Sequence, residues 1–194
     1  MLTPLHNIWI TLVIWGLIYL GDYYLTIFSA KKYRGGMQEN FRHEGSFELT
    51  PEFQKDVDKL RLFSPQFMIR WLISLPLIYL MWWLSVKQLE NPAFFEFLVG
   101  ALMLRELAVY LRHARNLFLY SLSQPRGIMG HVEYTRWLIL KMSAAEMFSF
   151  GVASLFLALF LQSWFFGGGV FGCWVVAAQH WRFARKAQMG TQKT

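Results

Sequence analysis

Four runs of this 194-residue chain, Ile8 to Leu20, Ile73 to Trp83, Ala93 to Leu104 and Phe150 to Leu161, are close to pure hydrocarbon and indole. They belong to longer apolar blocks, and a helix of about 20 such residues matches the hydrocarbon thickness of a bilayer. A helix packed on a water-soluble core shows an apolar stripe instead, with polar residues on its other face. Composition agrees: 55% of residues are hydrophobic and 16% charged, against roughly 25% charged in ordinary soluble domains. Mean hydropathy is +0.30. A membrane β-barrel is excluded, because its strands alternate apolar and polar residues over about ten positions. The expected class is all-α, a polytopic transmembrane bundle in one domain over residues 1–194, with no convincing internal repeat. Five spans are expected, roughly 5–30, 66–87, 92–121, 136–162 and 168–184, the last two joined by the turn Ser163 to Gly167. Four spans plus a re-entrant hairpin is the alternative, since the last apolar stretch is only about 15 residues long.

Charge orients these spans. The net charge is +7, and Lys31, Lys32, Arg34, Arg42, Lys55, Lys59, Arg61, Arg112, Arg115, Arg126, Arg182, Arg185 and Lys186 fall in or beside segments on one face. The opposite loops carry only Lys87. This positive-inside bias puts the N-terminus outside and the C-terminus in the cytosol of a multi-pass protein of the cell (inner) membrane. It also makes anionic headgroups the expected partner of the basic face, and not nucleic acid. Met1 to Leu12 lacks a basic stretch and a small-residue cleavage site, so the first run is expected to stay as a span. The single cysteine, Cys173, lies in an apolar run and reads as a small packing residue.

Prolines punctuate the helices. Thr3-Pro4, Thr50-Pro51, Ser64-Pro65 and Asn91-Pro92 each pair an N-cap residue with proline at the first helical position. Pro125 ends the extension of the third span, whereas Pro76 sits inside the second and should kink it. Between the first two spans, 51–63 reads as an amphipathic cytosolic helix with Phe53, Val57, Leu60 and Phe63 on one face. Gly35 to Phe47 is polar with glycine breaks, a segment that is mobile or covers a pocket.

Asp22, Arg70, Arg105, Glu106, His113, Lys141, Glu146 and His180 lie within or at the edges of the apolar runs, mostly in the half nearest the basic loops. A charge at the bilayer centre costs about 2.5–3.5 kcal/mol on insertion scales, so such groups must face protein, water or one another. On the first span Thr11, Trp15, Asp22, Thr26 and Ser29 share a face; on the third, Glu106, Tyr110, His113 and Tyr120 do, with Arg105 and Arg112 beside them. Glu146 sits by the small residues Ala145, Ser149 and Ala153, with Lys141 nearer the cytosol. Two readings follow: an ion-pair network that fixes helix packing, or a polar pocket built from Asp22, Arg105, Glu106, Tyr110, His113, Lys141 and Glu146. His180 is expected at the membrane interface with Trp181.

His43 and Glu44 in one loop and His131 and Glu133 in another are weak candidates for a metal, because imidazole and carboxylate ligands on two loops of one face could meet. Their spacing matches no established metal pattern. The segment Arg112 to Asn116 resembles, over five residues, the Arg/His/Asn-rich stretch of the trimeric glutathione- and eicosanoid-metabolising membrane proteins. It ends the third span, where that family carries its stretch near the second, so no activity is carried over. No nucleotide loop, nucleophile elbow or HExxH zinc motif is present, and no cofactor is indicated. Gly168 and Gly172, with Gly169, Cys173 and Ala177, form small-residue lines suited to close packing against the fourth span or to a homo-oligomer seam. The leading expectation is passage of an ion or small solute by an oligomer, with Asp22, Glu106 and Glu146 lining a vestibule. The alternatives are an accessory subunit of a larger membrane complex, and an enzyme at the inner leaflet using Glu106, Tyr110 and His113 on a lipid or amphiphile held by Arg105 or Arg112.

Overall fold

A computed structural model describes residues 7–44, 52–122 and 130–191. The chain is predominantly helical: α1 (Ile8–Arg34), α2 (Gln54–Asp58), α3 (Pro65–Trp82), α4 (Pro92–Leu122), α5 (Arg136–Leu161) and α6 (Trp164–Thr191). A π-turn, Trp83–Gln88, extends α3. Two three-residue strands, β1 (Phe41–His43) and β2 (Val132–Tyr134), pair in parallel. Ile8–Arg34, Pro65–Gln88 and Arg136–Leu161 are long and apolar enough to cross a membrane. Their surfaces agree with that: Leu17 is 67% exposed, Leu159 68% and Phe160 82%. Water would not tolerate such a continuous apolar surface, whereas lipid does.

The helix starts follow local chemistry. The Ser64 hydroxyl accepts from the Phe67 N–H at 3.2 Å, with Pro65 at the first helical position. The Asn91 side chain accepts from the Phe94 N–H at 3.2 Å, ahead of Pro92. Helix α1 begins later than Thr3-Pro4 would suggest, capped by Asn7, whose side chain accepts from the N–H of Trp9 and Ile10. Thr3, Pro4, Thr50, Pro51, Pro125 and Arg126 lie outside the described residues.

Two expectations need correction. The amphipathic helix of 51–63 is only Gln54–Asp58, because Leu60 turns left-handed at φ 50° and the chain is pinned there. The Tyr23 hydroxyl donates to the Arg61 carbonyl at 2.7 Å, while Asp56 accepts from Arg61 and, over a short contact, from the Ser64 hydroxyl. The expected turn of 163–167 is two residues, Gln162 and Ser163, with Gln162 left-handed at φ 49°. Helix α6 is therefore an unbroken 28 residues.

In contact order the helices run α3, α1, α4, α6, α5, with α5 seated on α6 and touching α4 lightly. Backbones approach most closely between α4 and α6. A Cβ added to Gly168 would fall 1.9 Å from the Phe97 carbonyl oxygen, and one on Gly172 would fall 2.2 Å from that of Ala101. Gly100 meets the Phe165 carbonyl in the same way. This glycine line packs on the third of the expected spans, not the fourth, and α4 already covers it within one chain. Gly169 closes on the Leu104 side chain, while Cys173 and Ala177 pack with Ala108 and Met147.

Candidate functional site

The polar residues of α1, α4 and α5 converge at the end of the bundle that carries Lys31, Lys32, Arg34, Arg182, Arg185 and Lys186. They line a cavity of about 1260 Å³. Helix arithmetic sets its depth: at 1.5 Å per residue, Glu146 stands roughly 15 Å inside the start of α5, and Asp22 roughly 18 Å inside the end of α1. Arg105 and Glu106 reach deepest, roughly 25 Å from the end of α4.

Helix α4 forms the floor. Arg112 and Arg115 lie about one turn apart, so their guanidiniums project together, and both reach across to Glu146 on α5. Arg112 Nε is 2.8 Å from Glu146 Oε2, and Arg115 forms a shorter pair with Oε1. Arg115 also donates to the Asn116 side chain at 3.3 Å. Arg112 is 13% exposed and Glu146 28%, so solvent screens this bridge only in part. Across the cavity on α1, Asp22 Oδ1 is 3.9 Å from His113 Nε2. The Ser29 hydroxyl donates to the His113 carbonyl at 3.2 Å and ties α1 to α4 at this level. Arg105 and Glu106 pair with each other.

The remaining walls are largely aromatic and aliphatic: Tyr19 and Tyr23 on α1, Phe67 on α3, Phe150 on α5, Phe183 on α6. Arg70 turns towards Glu52 at 2.6 Å and lies 4.9 Å over the Phe53 ring, which fastens the segment before α2 to α3. That hydrogen bond, with the charge of Arg70 behind it, holds the Glu52 carboxyl below its ordinary range. At the basic end Phe41 and Tyr134, from the strand pair, reach the cavity and stack on each other. The polar segment from Gly35 thus covers the pocket in part.

Of the residues expected in a pocket, Asp22, Arg105, Glu106, His113 and Glu146 line it. Tyr110 instead packs on Gly21, in the α1–α4 seam. Lys141 lies apart from the cavity, 3.4 Å from Gln188 Oε1 and over the rings of Trp137 and Trp181. His180, expected at the interface, lines the cavity and bonds the Ser143 hydroxyl through Nδ1 at 2.8 Å. Arg70, noted among the ionisable groups of the apolar runs but not assigned to the pocket, also lines it, and Arg115, Tyr19 and Tyr23 are additions that apolar-run reasoning passed over. The loop candidates for a metal serve the strand pair: Glu44 accepts from the Arg136 N–H at 2.9 Å, and His131 contacts Glu133 and the Glu39 carbonyl. The His43 side chain is outside the described residues, and among those described no group of three metal-ligating side chains forms.

Away from the basic end the bundle is closed. Ile8, Trp15, Ile78, Phe95, Val99 and Met103 form a buried core there. The Trp15 indole donates to the Ser74 hydroxyl at 2.8 Å, joining α1 to α3. Two carboxylates lie towards this end, Glu90 in the turn before α4 and Glu96 in the second turn of α4 near its N-terminus, where the helix dipole favours a negative charge. Comparison of the chain with family models, with characterised proteins and with solved structures gives no match.

Proposed function

We propose that this chain is a five-span membrane protein in which α4 and α6 cross the bilayer beside the three more apolar helices. Its cavity would open to the cytosol and hold a charged solute during passage across the membrane. The carrying observation is that Asp22, Glu106 and Glu146 converge with Arg70, Arg105, Arg112 and Arg115 on one cavity, from four different helices. Several of these ion pairs are already closed, Arg112 and Arg115 on Glu146 and Arg105 on Glu106, which packing alone would explain. What packing does not require is the space left beside them, which would be a cost if it held nothing. The volume corresponds to roughly forty water molecules at about 30 Å³ each, far more than bridging waters require. Because the other half is packed, passage in this reading requires the α1–α3–α4 core to part, as in a carrier, and not a standing pore.

The test is flux in proteoliposomes, with chloride and protons as separate probes. Wild-type protein should pass one of them above the rate of empty vesicles. The combined variant Asp22→Asn, Glu106→Gln, Glu146→Gln should lose at least tenfold of it. Flux equal in wild type and variant would remove the carboxylates from the path, and no flux of either probe would remove the reading for small ions.

A further inference from the structure

We infer that the cavity binds an amphiphile with an anionic headgroup, which enters sideways from the bilayer between α5 and the α1–α3 pair. The inference rests on the same cavity as the proposed function, but not on passage across the membrane. Four observations carry it.

The first is where the cavity opens. Helix α5 is held by α6 and leaves α4 along most of its length, so the α3–α1–α4–α6–α5 arc is concave. Met142, Ala145, Ser149 and Phe150 line the cavity and are exposed, on a helix apolar enough to lie in the bilayer. Helix α5 makes no substantial contact with α1 or α3, so these residues form the lip of a slot between α5 and that pair.

The second is what covers the axial route. Phe41 and Tyr134 of the strand pair, with Phe53 just before α2 and Val57 within it, stand at the basic end. The strand pair is tied by further bonds, from the Asn40 amide to the Gly130 carbonyl at 2.8 Å and from the Arg136 N–H to Glu44. This partial cover narrows the route for a long-chain molecule from water, whereas a molecule already in the leaflet meets the slot.

The third is charge. Behind the lip, two guanidiniums of α4 share the one carboxylate of Glu146. Two planar forks a turn apart suit the oxygens of a phosphate or carboxylate headgroup, which would take bonds that Glu146 now supplies. The fourth is the character of the walls. Tyr19, Phe67, Phe150 and Val176 offer apolar surface beside those charges, which a small hydrated anion could not use and an alkyl chain could. A site with a charged end and an apolar body selects a ligand with the same division.

The experiment is equilibrium binding of radiolabelled dodecyl phosphate to the purified full chain in an uncharged detergent. Saturable binding is expected, with inorganic phosphate, dodecanol and dodecyltrimethylammonium each competing at least tenfold more weakly than unlabelled dodecyl phosphate. Arg112→Gln with Arg115→Gln should weaken binding at least tenfold. Glu146→Gln, which removes the resident carboxylate, should tighten it several-fold, a gain that a misfolded protein could not show. Ser149→Trp, which fills the lip, should slow uptake and weaken binding while leaving the melting temperature within a few degrees of wild type. Equal competition by inorganic phosphate would identify a free anion as the ligand and overturn the amphiphile. Equal competition by dodecanol, preference for the cationic chain, or weaker binding by Glu146→Gln would overturn the assignment of the headgroup to the arginines. Dodecyl phosphate binding without ion flux would leave this inference standing and end the passage reading for small ions; flux without binding would overturn this inference and leave passage standing.

Discussion

Glu146 shows how much one side chain carries here. It holds two arginines of α4 from an α5 that otherwise rests on α6. Hydrogen bonds to charged groups are worth about 1.5–3 kcal/mol when buried, and partial exposure brings this pair to the lower end. Without ligand, Glu146→Gln should therefore cost about 1–2 kcal/mol and lower the melting temperature by a few degrees in detergent, read by scanning fluorimetry. An unchanged melting temperature would mean the bridge is not formed in solution. Glu146, Asp22, Glu106 and His113 were legible as site residues because a polar group in an apolar run must find something to face. Arg115 was not, since it lies in a basic stretch whose charges are already accounted for by topology. His180 was misread for a similar reason: beside Trp181 it fits an interfacial belt, and only the approach of Ser143 from α5 turns it inward. Tyr110 and Lys141 share helical faces with site residues yet point into seams, because periodicity places a residue on a helix without saying which neighbour that face meets.

At the level of elements, α6 on α4 is the contact with least tolerance. Carbonyl oxygens occupy the space a Cβ would need at Gly168 and Gly172, so Gly168→Val must push whole helices apart. Overpacking of this kind costs typically about 1–3 kcal/mol, and two backbone contacts in series put Gly168→Val with Gly172→Val at or above the upper end. Heat stability in detergent should drop sharply, and a double variant that melts with wild type would refute the close approach. The small-residue spacing made this seam legible, but not its partner, because a short connection between α5 and α6 does not stop α6 from also meeting α4. The segment at α2 carries a pH dependence. Glu52 is held below its ordinary carboxylate range by Arg70, so its pairing is complete at neutral pH and is lost as acid titrates through that lowered value. Amide exchange over Gln54–Asp58, corrected for intrinsic rate, should rise between neutral pH and about pH 3. Glu52→Gln should show the raised level at both. The strand pair was beyond reach of sequence reasoning: three-residue strands carry no period, and a parallel register between segments some ninety residues apart is set by where α1 ends and α5 begins.

For the whole molecule, helix class and the apolar lengths of α1, α3 and α5 follow from the chain's own pattern. Helices α4 and α6 are not among the helices apolar enough to cross a membrane by composition, and several of their polar residues line the cavity, Arg105 and Glu106 on α4 and Gln179 and His180 on α6. The account depends on an uneven profile, with water reaching charged groups from the basic side and a packed core beyond. Thiol accessibility on α1 tests it most directly. Cys173 is fully buried, so a Cys173→Ala background should be silent. On that background Asp22→Cys, in the cavity with its side chain 23% exposed, and Thr11→Cys, buried in the dry half of the same helix, are compared with a membrane-impermeant thiol reagent in inverted and right-side-out vesicles. The predicted result is labelling of Asp22→Cys from the cytosolic side alone and none of Thr11→Cys from either. Equal labelling of the two positions, or labelling of Asp22→Cys only from outside, would contradict it.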